Sequence, residues 1–234
     1  MKKSSLLLAL LLCCCLALPQ LGIANTLTSG LGNTGTSLVS GVSTQTTGPF
    51  NAAQSSFADP FKKFCGSDAG TNCTASWTFS YGTLSGNTIN SATVTIGIVD
   101  IDSAAPGDQV SSFTLSGASA PDNATLTTEL NGASETAAAT NNLYEVFTVN
   151  IPATSLSQLL GGTPTFNLAL QGPGLGILSP TTNPTDNGAG LVFSSLTVNY
   201  TPTAPPPMPE PSSLMLLGTG IVGVAGLLRR RLNR

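Results

Sequence analysis

The stretch "TASWTFSYGTLSGNTINSATVTIGIV", residues 74–99, decides the fold. Trp77, Phe79 and Tyr81 share one parity, and after a break containing Gly and Asn, Ala92, Val94, Ile96 and Ile98 share another. Successive side chains of a strand point to opposite faces, so apolar residues two apart mark a strand with one face buried. The alternation assigns Trp77 to a core rather than to an outward surface that stacks on sugar rings. Outward from this stretch the pattern repeats: Phe113 and Leu115 after a Pro-Gly-Asp turn, Leu126 and Leu130, then Leu143, Phe147 and Val149. Phe166, Leu168 and Leu170 follow, and Val192, Leu196, Val198 and Tyr200 complete the set. Seven strands are expected, separated by segments rich in Gly, Pro, Asn and Asp. Short strands without helical periodicity between them give an all-β fold, a two-sheet antiparallel β-sandwich or jelly roll over residues 59–201. One short helix fits "PATSLSQLLGG", residues 152–162, with Thr154 or Ser155 capping its start and Gly161 ending it.

Upstream, residues 25–58 have scattered apolar side chains and no sustained period, which reads as a loosely ordered arm contributing one edge strand. The N-terminus has the three parts of a secretory signal peptide. Lys2 and Lys3 precede an apolar run from Leu6 to Leu18, and Gly22 and Ala24 provide small residues for cleavage after Ala24. The run is too short for the roughly 20 residues of a spanning helix, which argues against a retained anchor. Cys13, Cys14 and Cys15 raise lipidation as an alternative, but Leu12, Cys13 and Cys14 are poor residues to precede an acylated cysteine.

Removal of residues 1–24 leaves two cysteines, Cys65 and Cys73, in the turn-forming "FCGSDAGTNCT". Export permits a disulfide, and no third cysteine competes. A zinc site would need further ligands, and the chain has no histidine. That absence also excludes Ser-His-Asp and Cys-His catalysis. Between Asn25 and Pro207, Lys62 and Lys63 face ten acidic residues, leaving this part eight charges negative. Nucleic acid is therefore not a partner, because its binding rests on basic residues that neutralise phosphates. Asp100, Asp102 and Asp108 crowd "VDIDSAAPGDQV", residues 99–110, and form a candidate calcium site supplemented by loop carbonyls. The competing reading is an Asp-rich turn whose carboxylates are solvated. No other cofactor is expected.

The chain closes on "PPPMPEPSSLMLLGTGIVGVAGLLRRRLNR", residues 205–234. Residues 202–211 form a proline-rich, extended spacer. Residues 212–228 read as a transmembrane sorting helix, although the fifteen-residue run Leu214–Leu228 spans only about 22 Å, against a hydrocarbon core of about 30 Å. Residues 229–234 form a basic cytoplasmic tail in which Arg229, Arg230, Arg231 and Arg234 hold the C-terminus inside by the positive-inside rule. Gly220, Gly223 and Gly226 place small residues on the helix where a partner helix could approach.

The order Pro209-Glu210-Pro211, a Gly-rich apolar helix and a terminal arginine cluster resembles the PEP-CTERM sorting signal of Gram-negative bacteria. The resemblance covers Met208 to Arg234, with methionine before the motif where the family usually has valine. It implies recognition by an exosortase-type membrane protease, membrane contact through the C-terminal helix, and association with exopolysaccharide and biofilm. A sortase would require an LPxTG motif, which the chain lacks. The expectation is thus an exported, non-enzymatic surface or matrix protein. It begins as an inner-membrane-tethered precursor and ends in the envelope, on the outer surface or in the extracellular matrix. The alternatives are a carbohydrate-binding module for exopolysaccharide and a secreted glycoside hydrolase.

Overall fold

The computed structural model describes residues 23–40, 42–43, 47–66, 72–99, 109–135, 143–171, 188–203 and 213–232. The chain divides into two units: one holds Ala24–Pro202, and the other holds the two terminal segments. Eight strands lie among the described residues: β1 (Asn25–Gly32), β2 (Val42–Ser43), β3 (Thr74–Thr78), β4 (Asn87–Val99), β5 (Val110–Leu115), β6 (Leu143–Asn150), β7 (Thr165–Leu170) and β8 (Gly190–Pro202). They form a five-stranded sheet in the order β1-β8-β4-β6-β2 and a three-stranded sheet in the order β3-β7-β5, with every pairing antiparallel. The segment 25–58, expected to be a loose arm with one edge strand, supplies β1, β2 and the helix α1 (Thr47–Gln54).

The alternation read from the sequence becomes a shared core. Val94 lies opposite both Val149 and Leu196, and Ala92 opposite Val198, so one face of the large sheet is a continuous apolar surface. The small sheet answers it with Trp77 opposite Phe166 and Phe113 opposite Leu168. Both sets belong to one buried cluster. Within it the Trp77 and Phe166 rings stack at 6.3 Å and 20°, Phe113 stacks on Phe166 at 5.7 Å, and Phe79 meets Phe166 edge-on at 5.9 Å. Such pairs add roughly 0.5–1.5 kcal/mol beyond their area burial.

A second, smaller cluster covers the opposite face of the large sheet, where Phe50 of α1 packs with Val99, Tyr144 and Val192. Gly97 is required there. A Cβ on it would lie 2.5 Å from the Phe193 ring and 2.8 Å from the Tyr144 hydroxyl.

Leu126 and Leu130, expected on a strand, lie instead on the helix α2 (Ala120–Glu135). A four-residue spacing puts two side chains on one face of either element, so parity alone could not separate them. The local hydrogen bonds are those of a helix. The Ser119 hydroxyl accepts from the Asp122 N–H at 3.3 Å, and Thr125, Thr127 and Thr128 each donate to the carbonyl four residues earlier.

One row of α2 does for β5 what a neighbouring strand would do. β5 ends the small sheet. Asn131 accepts from the Val110 N–H at 2.8 Å and donates to its carbonyl at 2.9 Å. Thr127 accepts from the Phe113 N–H at 3.0 Å and donates to its carbonyl at 3.3 Å, and Asn123 accepts from the Leu115 N–H at 2.9 Å. Side chains four residues apart along the helix thus match Leu115, Phe113 and, across the register shift between Val110 and Ser112, Val110 of the strand.

The short helix expected at 152–162 is a 3₁₀ helix, Ala153–Leu159, preceded by Pro152 without a side-chain cap. Thr154 and Ser155 are not its caps, because their hydroxyls donate to Asp122 at 2.8 and 2.6 Å. Nor does Gly161 end it: the chain turns at Gly162, where φ is +82° and a Cβ would lie 2.5 Å from the Tyr81 carbonyl oxygen.

Asn131→Ala leaves the buried Val110 N–H and carbonyl without these partners and should cost about 2–3 kcal/mol in chemical denaturation. Thr128→Ala, which removes an exposed hydroxyl bond within the helix, should stay within about 0.5 kcal/mol. Asp122 is held below the ordinary carboxylate range by hydrogen bonds from Ser155, then Thr154 and Ser119. Its contribution to stability is therefore present above the ordinary carboxylate value of about 4, and is lost as pH falls through the lowered value of the folded state. Asp122→Asn should lower the denaturation midpoint at neutral pH and flatten part of its decline in acid. An acid decline identical to that of the parent would remove Asp122 from this role.

Candidate functional site

The sorting tail belongs to its own unit and is built on the helix α3 (Ser213–Leu232). Leu, Met and Ala favour the helix, and Arg229, Arg230 and Arg231 occupy its last turn, where cations complement the partial negative charge of the carbonyl end. All three arginines are exposed. Gly220, Gly223 and Gly226 have open space where a Cβ would stand. Pro209, Glu210, Pro211 and Arg234 lie outside the described residues, as do residues 1–22, where the signal peptide is expected.

The expectation of a transmembrane helix over 212–228 needs correction. Among the described residues no helix is long and apolar enough to cross a membrane. The physical reason lies in the composition of α3: glycines and Thr219 interrupt its apolar run, and three arginines close it.

Residues 209–231 match the family model of the PEP-CTERM protein-sorting motif. The chain carries this sorting signal. No curated protein matches the chain. The PEP-CTERM motif implies an exported protein, anchored through its C-terminus before processing by exosortase, a membrane protein.

In the β unit, Cys65 and Cys73 form the expected disulfide, with their Cα atoms 4.9 Å apart. Cys65 exchanges backbone hydrogen bonds with Ala189, at the entry to β8, at 2.8 and 2.9 Å. The Cys73 carbonyl accepts from the Leu170 N–H of β7 at 2.9 Å. The bridge therefore ties the large sheet to the small one as well as closing a turn. Asp100, Asp102 and Asp108, the candidate calcium ligands, lie outside the described residues. Among the described residues no group of three or more Cys, Asp and Glu side chains is arranged to hold a metal ion.

Aromatic placement limits what the surface can bind. Every Phe, Tyr and Trp of the chain is buried or half-buried. Trp77 is buried, and the half-buried Tyr81 donates its hydroxyl to the Leu159 carbonyl at 2.7 Å. Burial pushes the Tyr81 phenol up to about 12. Two carboxylates are engaged in bracing: Asp122 as described, and Glu129 by accepting from the Asn150 N–H at 2.8 Å. A cleft of about 240 Å³ between the turn at 33–38 and α1 is lined by Asn33, Thr36, Ser37, Leu38 and Gln54. The Gln54 Oε1 is buried there without a hydrogen-bond partner. This lining offers neutral hydrogen bonding and no group suited to proton transfer. The sequence reading missed Gln54, Asp122 and the Asn123–Thr127–Asn131 row. Only the last leaves a signal, as amide and hydroxyl residues spaced by four.

Replacing both Cys65 and Cys73 by Ala should lower stability by roughly 2–3 kcal/mol in the chain-entropy view of a loop this short. Denaturant titration of the oxidised parent against the double variant reads this directly, and coincident curves would mean that the bridge contributes nothing.

Proposed function

We propose that this protein is an exported, non-enzymatic component of the cell surface or extracellular matrix. Its β unit is the cargo and its tail is the address. The observation that carries the reading is the sorting motif at residues 209–231. The precursor begins tethered at the inner membrane through its C-terminal segment. Exosortase processing then releases the β unit to the envelope, the outer surface or the matrix, where it accompanies exopolysaccharide.

Several features of the β unit support a structural cargo over the two alternatives. A carbohydrate-binding module commonly presents flat rings to sugars, whereas here the aromatic residues are buried or half-buried. A glycoside hydrolase needs two carboxyl groups flanking a cleft, and among the described residues Asp122 and Glu129 spend theirs on hydrogen bonds between elements of the fold. The surface is rich in hydroxyl and amide groups and poor in cations, which suits solubility outside the cell more than recognition of an anionic polymer.

Glu210→Ala in an exporting host should cause uncleaved precursor to accumulate. Intact-mass measurement of the parent from the envelope should find a chain truncated near the motif. Recovery only of chains ending in Arg234 would reject processing, and unchanged processing of the Glu210 variant would reject reading of the motif.

A further inference from the structure

β1 ends the large sheet, and among the described residues it pairs with β8 alone. Its register runs unbroken from Asn25 opposite Tyr200 to Gly32 opposite Phe193, and the next residue, Asn33, donates its N–H to the Val192 carbonyl at 2.8 Å. Hydrogen-bonded pairs alternate along an antiparallel ladder. The odd-numbered residues of β1 therefore point their backbone groups at β8. Thr26, Thr28 and Gly30 point theirs away from it, and among the described residues no backbone bond occupies that side at these positions.

The remaining sheet edges are short or guarded. β2 has two residues, β3 has five, and β5 is covered by the polar row of α2. β1 has eight residues, "NTLTSGLG", with no charge, proline or bulge. Natural sheets rarely leave such an edge open, because it is a template for another strand.

We propose that β1 pairs antiparallel with β1 of a second copy of this chain, across a twofold axis at Ser29, joining the two large sheets into one. An antiparallel pair of identical strands is self-complementary, as a twofold interface requires. The uncharged edge lets two strongly acidic β units meet without repulsion at the contact. An axis at Ser29 sets Thr28 opposite Gly30, so that residues with outward backbone groups face each other and exchange both hydrogen bonds. It also sets Leu27 opposite Leu31. Both leucines are half-buried against the core of their own copy, and each would cover its counterpart at the seam.

The test uses the full chain with Cys13, Cys14 and Cys15 replaced by serine, purified in mild detergent and followed by sedimentation velocity, with far-UV circular dichroism and the Cys65–Cys73 bridge as measures of folding. The parent should sediment as a dimer that dissociates on dilution. Thr28→Pro removes an outward N–H without touching the β8 ladder, and Thr28→Lys brings like charges together on an exposed face. Each should yield a folded monomer. Ser29→Cys places two thiols at the non-hydrogen-bonded twofold pair and should give a disulfide-linked dimer on mild oxidation. Thr26→Cys, whose opposite residue is Gly32, should not. A parent monomeric at every concentration, a dimer that survives Thr28→Lys, or a Ser29→Cys chain that fails to cross-link would overturn the proposal. If Thr28→Pro does not fold, the lysine and cysteine variants still decide it.

Discussion

The structure depends on two sheets sharing one layer of apolar side chains. The layer is apolar from both sides: β4, β6 and β8 are mainly aliphatic, and β3, β5 and β7 set Trp77, Phe113 and Phe166 among aliphatic side chains. Trp77, Phe113 and Phe166 form a triangle of mutually stacked rings, with centroids 6.2, 6.3 and 5.7 Å apart, so the small sheet offers broad, flat surfaces to the branched side chains of the large one. Burial of this area drives folding at roughly 25 cal/mol per Å². It also dictates where everything else goes. A ring committed to the core cannot also serve as a binding platform, and the chain has few rings to spare.

A core between sheets creates a second problem, the unpaired backbone at each sheet edge. The protein solves it differently at different edges. At β5 it uses side chains: Asn123, Thr127 and Asn131 present donors and acceptors at the repeat of a helix face, and the strand accepts them in place of a neighbour. Asp122 then ties the start of the same helix to the 3₁₀ turn through Thr154 and Ser155. This explains how a chain with few charges is braced. The polar contacts described are mostly neutral amide and hydroxyl bonds, with two carboxylates, Asp122 and Glu129, accepting at junctions between elements, and they vary less with ionic strength than ion pairs would.

The disulfide adds a covalent link between segments hydrogen-bonded beside different sheets. Cys65 is hydrogen-bonded beside β8, and Cys73 leads into β3. Two sheets held mainly by side-chain packing can slide, whereas a bridge between them cannot be stretched. A protein destined for an oxidising compartment has this device available, and the sorting motif at residues 209–231 places this one on an export route.

The sequence by itself determined the parts whose physics is local. Alternation marked both sides of the core through Trp77, Val94, Phe113, Phe166 and Val198, because a strand's two-residue period is written directly in the order of its side chains. The tail was equally legible, since Pro209-Glu210-Pro211 and the arginines after an apolar run are read as a linear signal. Tertiary structure decided the rest. Leu126 and Leu130 fit a strand or a helix by spacing, and only the backbone of β5, waiting for Asn131 and Thr127, made the helix the better partner. Thr154 and Ser155 looked like caps until Asp122, more than thirty residues away in the chain, came within 3 Å of both. Strand order, the span of the disulfide between two sheets, and the open edge of β1 depend on which segments meet across the fold, and nothing in the local order of residues records those meetings.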